Sequence, residues 1–261
     1  MDVVRINKTK RRLADGKPAI GAVLASAAPE LVEIAAVAGC HFITFDAEHE
    51  PLDDRQLADL IRAADAFDIT PIVRVPADPD RLLRLLDAGA QGVHVPRRSS
   101  VPDMQALAEA TRFHPDGKRT FYRLGRGGNY KRGLDDDEWA RQANAELLVI
   151  AMIEEAEALP RLGPMLAVPG IDAVHIGPKD LWQSMGMPPD EEVQAAVGQI
   201  ARAVTSAGKH VSLQLQSYDD IPAQLARHKE LGATMISIPL LGLLLRETER
   251  VVEAIATLGA R

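Results

Sequence analysis

The sequence predicts an α/β fold organised as one (β/α)8 barrel. Three observations carry this: eight short β-branched runs, amphipathic stretches between most of them, and the lack of a Gly/Ser-rich linker anywhere in 261 residues. A hydrophobic content of 46% is enough for a large core. Eight strand–helix pairs fit the ~250 residues typical of such a barrel. An open doubly wound sheet competes, but AGAQGVHVP (88–96) resembles PGIDAVHIGP (169–178), as repeated strand units of a closed sheet would. A single domain over 1–261 is expected.

The elements follow in order. NKTKRRLADG reads as a first helix with Lys8, Lys10, Arg11 and Arg12 on a solvated face. The strands are AIGAVLA (19–25), FITFDA (42–47), TPIVRV (70–75), GVHVP (92–96), LLVIAMI (147–153), DAVHIG (172–177), HVSLQL (210–215) and ATMISI (233–238). Among the helices, LADLIRAADAF (57–67) sets Leu57, Leu60, Ile61 and Ala64 on one face. The last helix opens on an unusually apolar stretch, Leu240–Leu245. Between Phe113 and Leu134 runs a long basic segment, with Arg119, Arg123, Arg126, Lys131 and Arg132 around Gly125, Gly127 and Gly128. It is expected to close over an acidic substrate and select what binds there, or to reach a neighbouring subunit. Its glycines lack the strand–helix context of a nucleotide motif.

A net charge of −7 argues against nucleic acid and anionic membrane surfaces as partners. The lone cysteine, Cys40, excludes an intrachain disulfide and suits a reducing compartment. With no signal-like run at the start and no apolar span of ~20 residues, a cytoplasmic location is expected.

In a barrel, polar residues at strand carboxyl ends meet around one mouth. Here those are Asp46, Glu48 and His49, then Arg74, then Glu154 and Glu155, then Lys179 and Asp180. Paired carboxylates with a histidine and an arginine beside them are what metal-assisted chemistry on a small oxyacid requires. Carboxylates from neighbouring strand ends offer hard oxygen ligands suited to Mg2+ or Mn2+, with Co2+ or Zn2+ as alternatives. Gly177 and Pro178 lead into a helix whose first N–H groups, beside Lys179 and Asp180, can receive a carboxylate. Arg74 can donate to a developing oxyanion without losing its charge. His49 is the candidate base, with Asp46 orienting it. His94 and His175, in mid-strand, are expected to be hydrogen-bonded core residues rather than a second metal site, and His41 and His210 open strands at the far end.

Together these segments resemble the HpcH/HpaI family of class II 2-oxo acid aldolases. NKTKRRLADGKPAIG, FDAEHEP, PIVRV, LLDAGAQGVHVP, FHPDGKR, MIEEAEAL and IDAVHIGPKDL stand in the family's order across nearly the whole chain. The resemblance implies a barrel in which Glu154 and Asp180 hold a divalent ion and cleavage of a 4-hydroxy-2-oxo acid gives pyruvate and an aldehyde. It also implies a role for Asp87 across a subunit boundary, and a trimer or hexamer in which the last helix packs between subunits. Lys179, Trp182, Met152, Thr120 and the VPRR segment depart from the family pattern and bear on substrate choice. Two further functions stay in view, an acyl-CoA lyase and a noncatalytic oxyacid-binding barrel. A Schiff base on Lys179 is a second mechanism, disfavoured because the adjoining acid opposes loss of the lysine's proton.

Overall fold

Strand formation here follows the β-branched and aromatic runs, and helix starts follow side chains that cap free N–H groups. The computed structural model describes residues 4–259. In chain order it contains α1 (Lys8–Ala14), β1 (Ala19–Leu24), α2 (Pro29–Val37), β2 (Phe42–Asp46), α3 (Asp54–Ala66), β3 (Thr70–Arg74), α4 (Pro79–Ala88), β4 (Gly92–Val95) and α5 (Val101–Thr111). There follow α6 (Asp136–Glu146), β5 (Leu148–Ile153), α7 (Leu162–Leu166), β6 (Ala173–Ile176), α8 (Pro178–Ser184), α9 (Asp190–Ser206), β7 (His210–Gln214), α10 (Ile221–Glu230), β8 (Ala233–Pro239) and α11 (Leu240–Ala256). All eight expected strands form, within a residue or two of the predicted bounds.

The strands pair in parallel, each with its sequence neighbour, and β8 returns to β1, so the sheet is a closed barrel. This is the (β/α)8 fold, and closure excludes the doubly wound alternative. Asp53 caps α3 and forms a reciprocal capping box with Gln56, while Asp78 caps α4 and Gly89, at φ 108°, ends it. The α3 face of Leu57, Leu60, Ile61 and Ala64 is buried as its spacing predicts.

Apolar side chains fill two spaces. The larger core lies between the strands and the surrounding helices. A smaller one fills the lower barrel, where Ala19, Phe42, Ile72, Leu148, Ile150, Ala173 and Met235 meet Leu13 of α1. Gly21 is required there, because a Cβ would come within 2.3 Å of the Phe42 ring. Helix α1 therefore plugs the floor, and its basic residues anchor it. Lys10 Nζ bonds Leu147 O at 2.7 Å and pairs with Asp172 at 2.9 Å, and Arg11 pairs with Glu146 at 2.9 Å. The expected solvated face is thus partly a set of tethers.

Alternation along each strand sends one residue in two inward. Above the apolar floor this yields a polar layer of Thr44, Arg74, His94, His175, Ser212, Gln214 and Ser237. The functional groups stand on that layer, at the strand carboxyl ends.

Candidate active site

Asp46 and Arg74 are register partners on adjacent strands, so their side chains emerge side by side. Arg74 Nε donates to Asp46 Oδ1 at 3.0 Å and its Nη2 bonds Oδ2, a two-point grip. The backbone N–H groups of Glu48 and His49 also donate to Oδ1, at 3.2 and 3.4 Å. Burial pushes the Asp46 carboxyl up, but the Arg74 hydrogen bond and charge and the two N–H donors outweigh it and hold the group below its ordinary value.

This geometry corrects one expectation. Asp46 is committed to Arg74 and to main chain, and the hydrogen-bond partners of its carboxylate do not include the His49 imidazole. The His49 ring stands at the mouth, 62% exposed, and its near acid is Glu48, with Nε2 to Oε2 at 3.7 Å. Glu48, which the sequence placed at the mouth without a role, is the hub. It also lies 3.9 Å from Arg74 Nε and 3.6 Å from Arg97 Nη2.

Across the mouth, Glu154 follows β5. Its Oε1 accepts the Arg97 N–H at 2.9 Å. Burial pushes this carboxyl up to about 7; the Arg97 N–H and Arg74 oppose the shift, while the charges of Asp180 and Glu48 add to it. Gly177, before α8, is what makes room. A Cβ there would lie 2.5 Å from Met152 Cε and 2.8 Å from Glu154 Oε2.

Glu154 and Asp180, far apart in sequence, do line one open cleft of about 480 Å³, with Glu48, His49, Arg97, Glu155, Glu157, Gln183 and Ser184. Such crowded acids, with Glu154 buried among them, fit a cation. Among the described residues, no group of three or more His, Cys, Asp or Glu is arranged to enclose a metal alone. Two carboxylates with an otherwise open coordination sphere suit Mg2+ or Mn2+.

Other predicted residues lie elsewhere. The Lys179 side chain is exposed and faces a separate recess with Trp182, Asp190, Gln194 and Gln216, so neither substrate binding nor a Schiff base in the cleft can use it. Gly177 N donates to Ile153 O at 3.2 Å, and Pro178 begins α8, whose first turn has no side-chain cap. Asp87 is not at this mouth. It lies on the last turn of α4 at the opposite end, where Arg119 Nη2 binds its Oδ1 at 2.6 Å and burial nonetheless raises its carboxyl.

The basic segment lies at that same far end, because it joins the end of α5 to α6, which precedes β5. Arg123 is buried on Leu134 O and Asp136, at 2.9 and 2.8 Å, and Arg126 is paired with Asp65. It cannot close over the cleft of its own chain. His94 and His175 are buried neighbours with ring centroids 4.7 Å apart, and His175 Nδ1 lies 3.0 Å from Ser212 Oγ. Both lie in the core; His175 has the hydrogen-bond partner expected of it, whereas His94 Nε2 is buried without one, and His41 and His210 lie at strand starts, the former against the Ile20 backbone.

A parallel eight-stranded barrel whose strand carboxyl ends carry an acid-rich cleft and a clamped arginine has the layout of a barrel enzyme. Residues 20–238 match the family model for HpcH/HpaI aldolase/citrate lyase, and the chain belongs to that family. It is therefore a lyase of the aldolase type. It is 33% identical over 238 residues to the hydroxypyruvate/pyruvate aldolase of Pseudomonas aeruginosa, covering 89% of this chain and 86% of that protein. To the 4-hydroxy-2-oxo-heptane-1,7-dioate aldolase of Salmonella dublin it is also 33% identical over 238 residues, covering 89% and 88%. Among solved structures, the citrate synthase SbnG superposes with a TM-score of 0.86 at 29% identity, covering 97% of this chain and 98% of that one.

Proposed function

We propose that this protein is a metal-dependent class II aldolase that reversibly cleaves a 4-hydroxy-2-oxo acid to pyruvate, or a related 2-oxo acid, and an aldehyde. The observation that carries this reading is the convergence of Glu154, Asp180 and Glu48 on one cleft, where burial first and the two neighbouring charges second hold Glu154 at about 7. Glu154 and Asp180 would hold Mg2+ or Mn2+, which when bound supplies a Lewis acid for the oxygen that gains charge as the carbon–carbon bond breaks. Arg74, kept in one orientation by Asp46, presents a fixed positive charge to that oxygen. His49 accepts the proton of the 4-hydroxyl, and Glu48, 3.7 Å away, stabilises the resulting imidazolium. The backbone that follows Gly177 and Pro178, at the start of α8, would receive the substrate carboxylate beside Asp180. Asp87 would serve the mouth of a neighbouring subunit, as the family resemblance implies.

The homo-oligomer this requires is supported by α11. None of its described residues is buried, and Leu244, Leu245, Val251, Val252 and Ile255 are exposed. A second copy covering this apolar face fits a trimer or hexamer, and a monomeric mass in sedimentation would oppose it. No described helix is long and apolar enough to cross a membrane.

The function is tested by incubating Mn2+-loaded protein with pyruvate and a panel of aldehydes. Aldol products that vanish with a chelator are expected. Chelator-insensitive activity with an adduct trapped by borohydride would defeat the metal mechanism. Replacing pyruvate with acetyl-CoA and glyoxylate tests the acyl-CoA alternative.

A further inference from the structure

Arg97 follows β4 and Pro96 at the barrel mouth with φ 56°, in the left-handed region that a side-chain-bearing residue rarely adopts. Its surroundings fix this conformation. The Arg97 N–H is held by Glu154 Oε1 at 2.9 Å, and the next residue, Arg98, donates its N–H to Met152 O at 2.9 Å and its Nε to Pro96 O at 2.9 Å. A backbone strained in this way at a mouth points to a functional constraint on what the residue presents.

What it presents is a guanidinium. Among the described residues lining the cleft there are five carboxylates, Glu48, Glu154, Glu155, Glu157 and Asp180, and Arg97 is the one lysine or arginine. Arg74 beneath is engaged twice by Asp46 and is only 13% exposed, whereas Arg97 is 58% exposed and touches Glu48 at a loose 3.6 Å. Its donors are thus open to a planar anion. Glu154 is held by the Arg97 backbone, so the guanidinium stands at the Glu48–His49 side of the cleft, where the fragment released from the 4-hydroxyl carbon would lie.

We infer that Arg97 is a specificity residue that receives a carboxylate on the aldehyde fragment, so that the preferred acceptor is an anionic aldehyde such as an oxo acid. This rests on the aldolase reading for which fragment lies there, but the recognition is measurable by equilibrium binding alone. With Mn2+ present, calorimetry would compare 2-oxoglutarate, which carries the distal carboxylate, with 2-oxopentanoate, which has a methyl there. The wild type should bind 2-oxoglutarate at least about tenfold more tightly. Arg97→Met should erase that ratio while 2-oxopentanoate affinity stays within about threefold, and Arg97→Lys should restore part of it.

Arg97→Asn, which tolerates the left-handed backbone, separates loss of charge from collapse of the turn, and it should behave like Arg97→Met. Equal wild-type affinities, an unchanged ratio in Arg97→Met, or an equal fall for both ligands would overturn the inference. A wild type that discriminates in binding but never turns over would instead overturn the aldolase reading and leave this one standing.

Discussion

The two ends of the barrel carry similar residues in opposite balance. At the floor, each acid is paired, and two of the three hold two cations apiece. Asp172 takes Lys10 at 2.9 Å and Arg112 at 3.2 Å, Asp87 takes Arg119, and Asp65 takes both Arg5 and Arg126. Burial and Arg126 together lower Arg5 to about 10, showing cations crowded against one acid. At the mouth, acids are in excess, and Glu154 rises to about 7. Pairing at the floor holds α1 and the 113–134 segment in place; the surplus at the mouth suits a bound cation and marks the candidate active site.

That contrast makes Glu154→Gln the most damaging change. It removes one of two ligands, and turnover should fall by about a thousandfold or more, with the fold retained by circular dichroism. Arg74→Lys keeps a charge but loses the two-point grip on Asp46, and kcat should drop by about a hundredfold. At the floor, Asp172→Ala should leave kcat/KM within about twofold yet destabilise the protein by about 3 kcal/mol in urea unfolding, because Arg112 loses its charge partner while buried. If activity fell and stability did not, the assignment of the two ends would be reversed.

Acid sensitivity should come from the polar layer between them. Burial lowers His94 well below the ordinary histidine value and His175 to about 3. Unfolded, both would protonate below about 6.5. Stability linked to these two groups is therefore fully present above that pH and declines as pH falls below it, and for His175 the decline continues toward 3. Urea midpoints should be flat above pH 7 and decline below 6, with a shallower decline in His175→Phe. An equally steep decline in that variant would assign the acid lability elsewhere.

The fold was legible because each strand is a short apolar run and each helix between carries its own period; Leu57, Leu60, Ile61 and Ala64 faced inward as spaced. Asp46, Arg74, Glu154 and Asp180 were legible because each stands where such a run stops. What the sequence concealed depends on tertiary neighbours. Asp46 faces Arg74 through strand register rather than His49 through chain proximity. Lys179, one residue from Asp180, turns to another recess because adjacent helix positions diverge. Asp87 and the basic segment lie at the floor because they precede strands rather than follow them. The backbone of Arg97 has no sequence signal; only the VPRR departure drew notice to it.

The most direct measurement is a Mn2+ titration followed by electron paramagnetic resonance, in the wild type and in a Glu154→Gln, Asp180→Asn double variant. One ion per chain should bind the wild type, with affinity lowered at least about a hundredfold in the double variant. Equal binding by both proteins would contradict the assignment of the acid-rich mouth as the cation site.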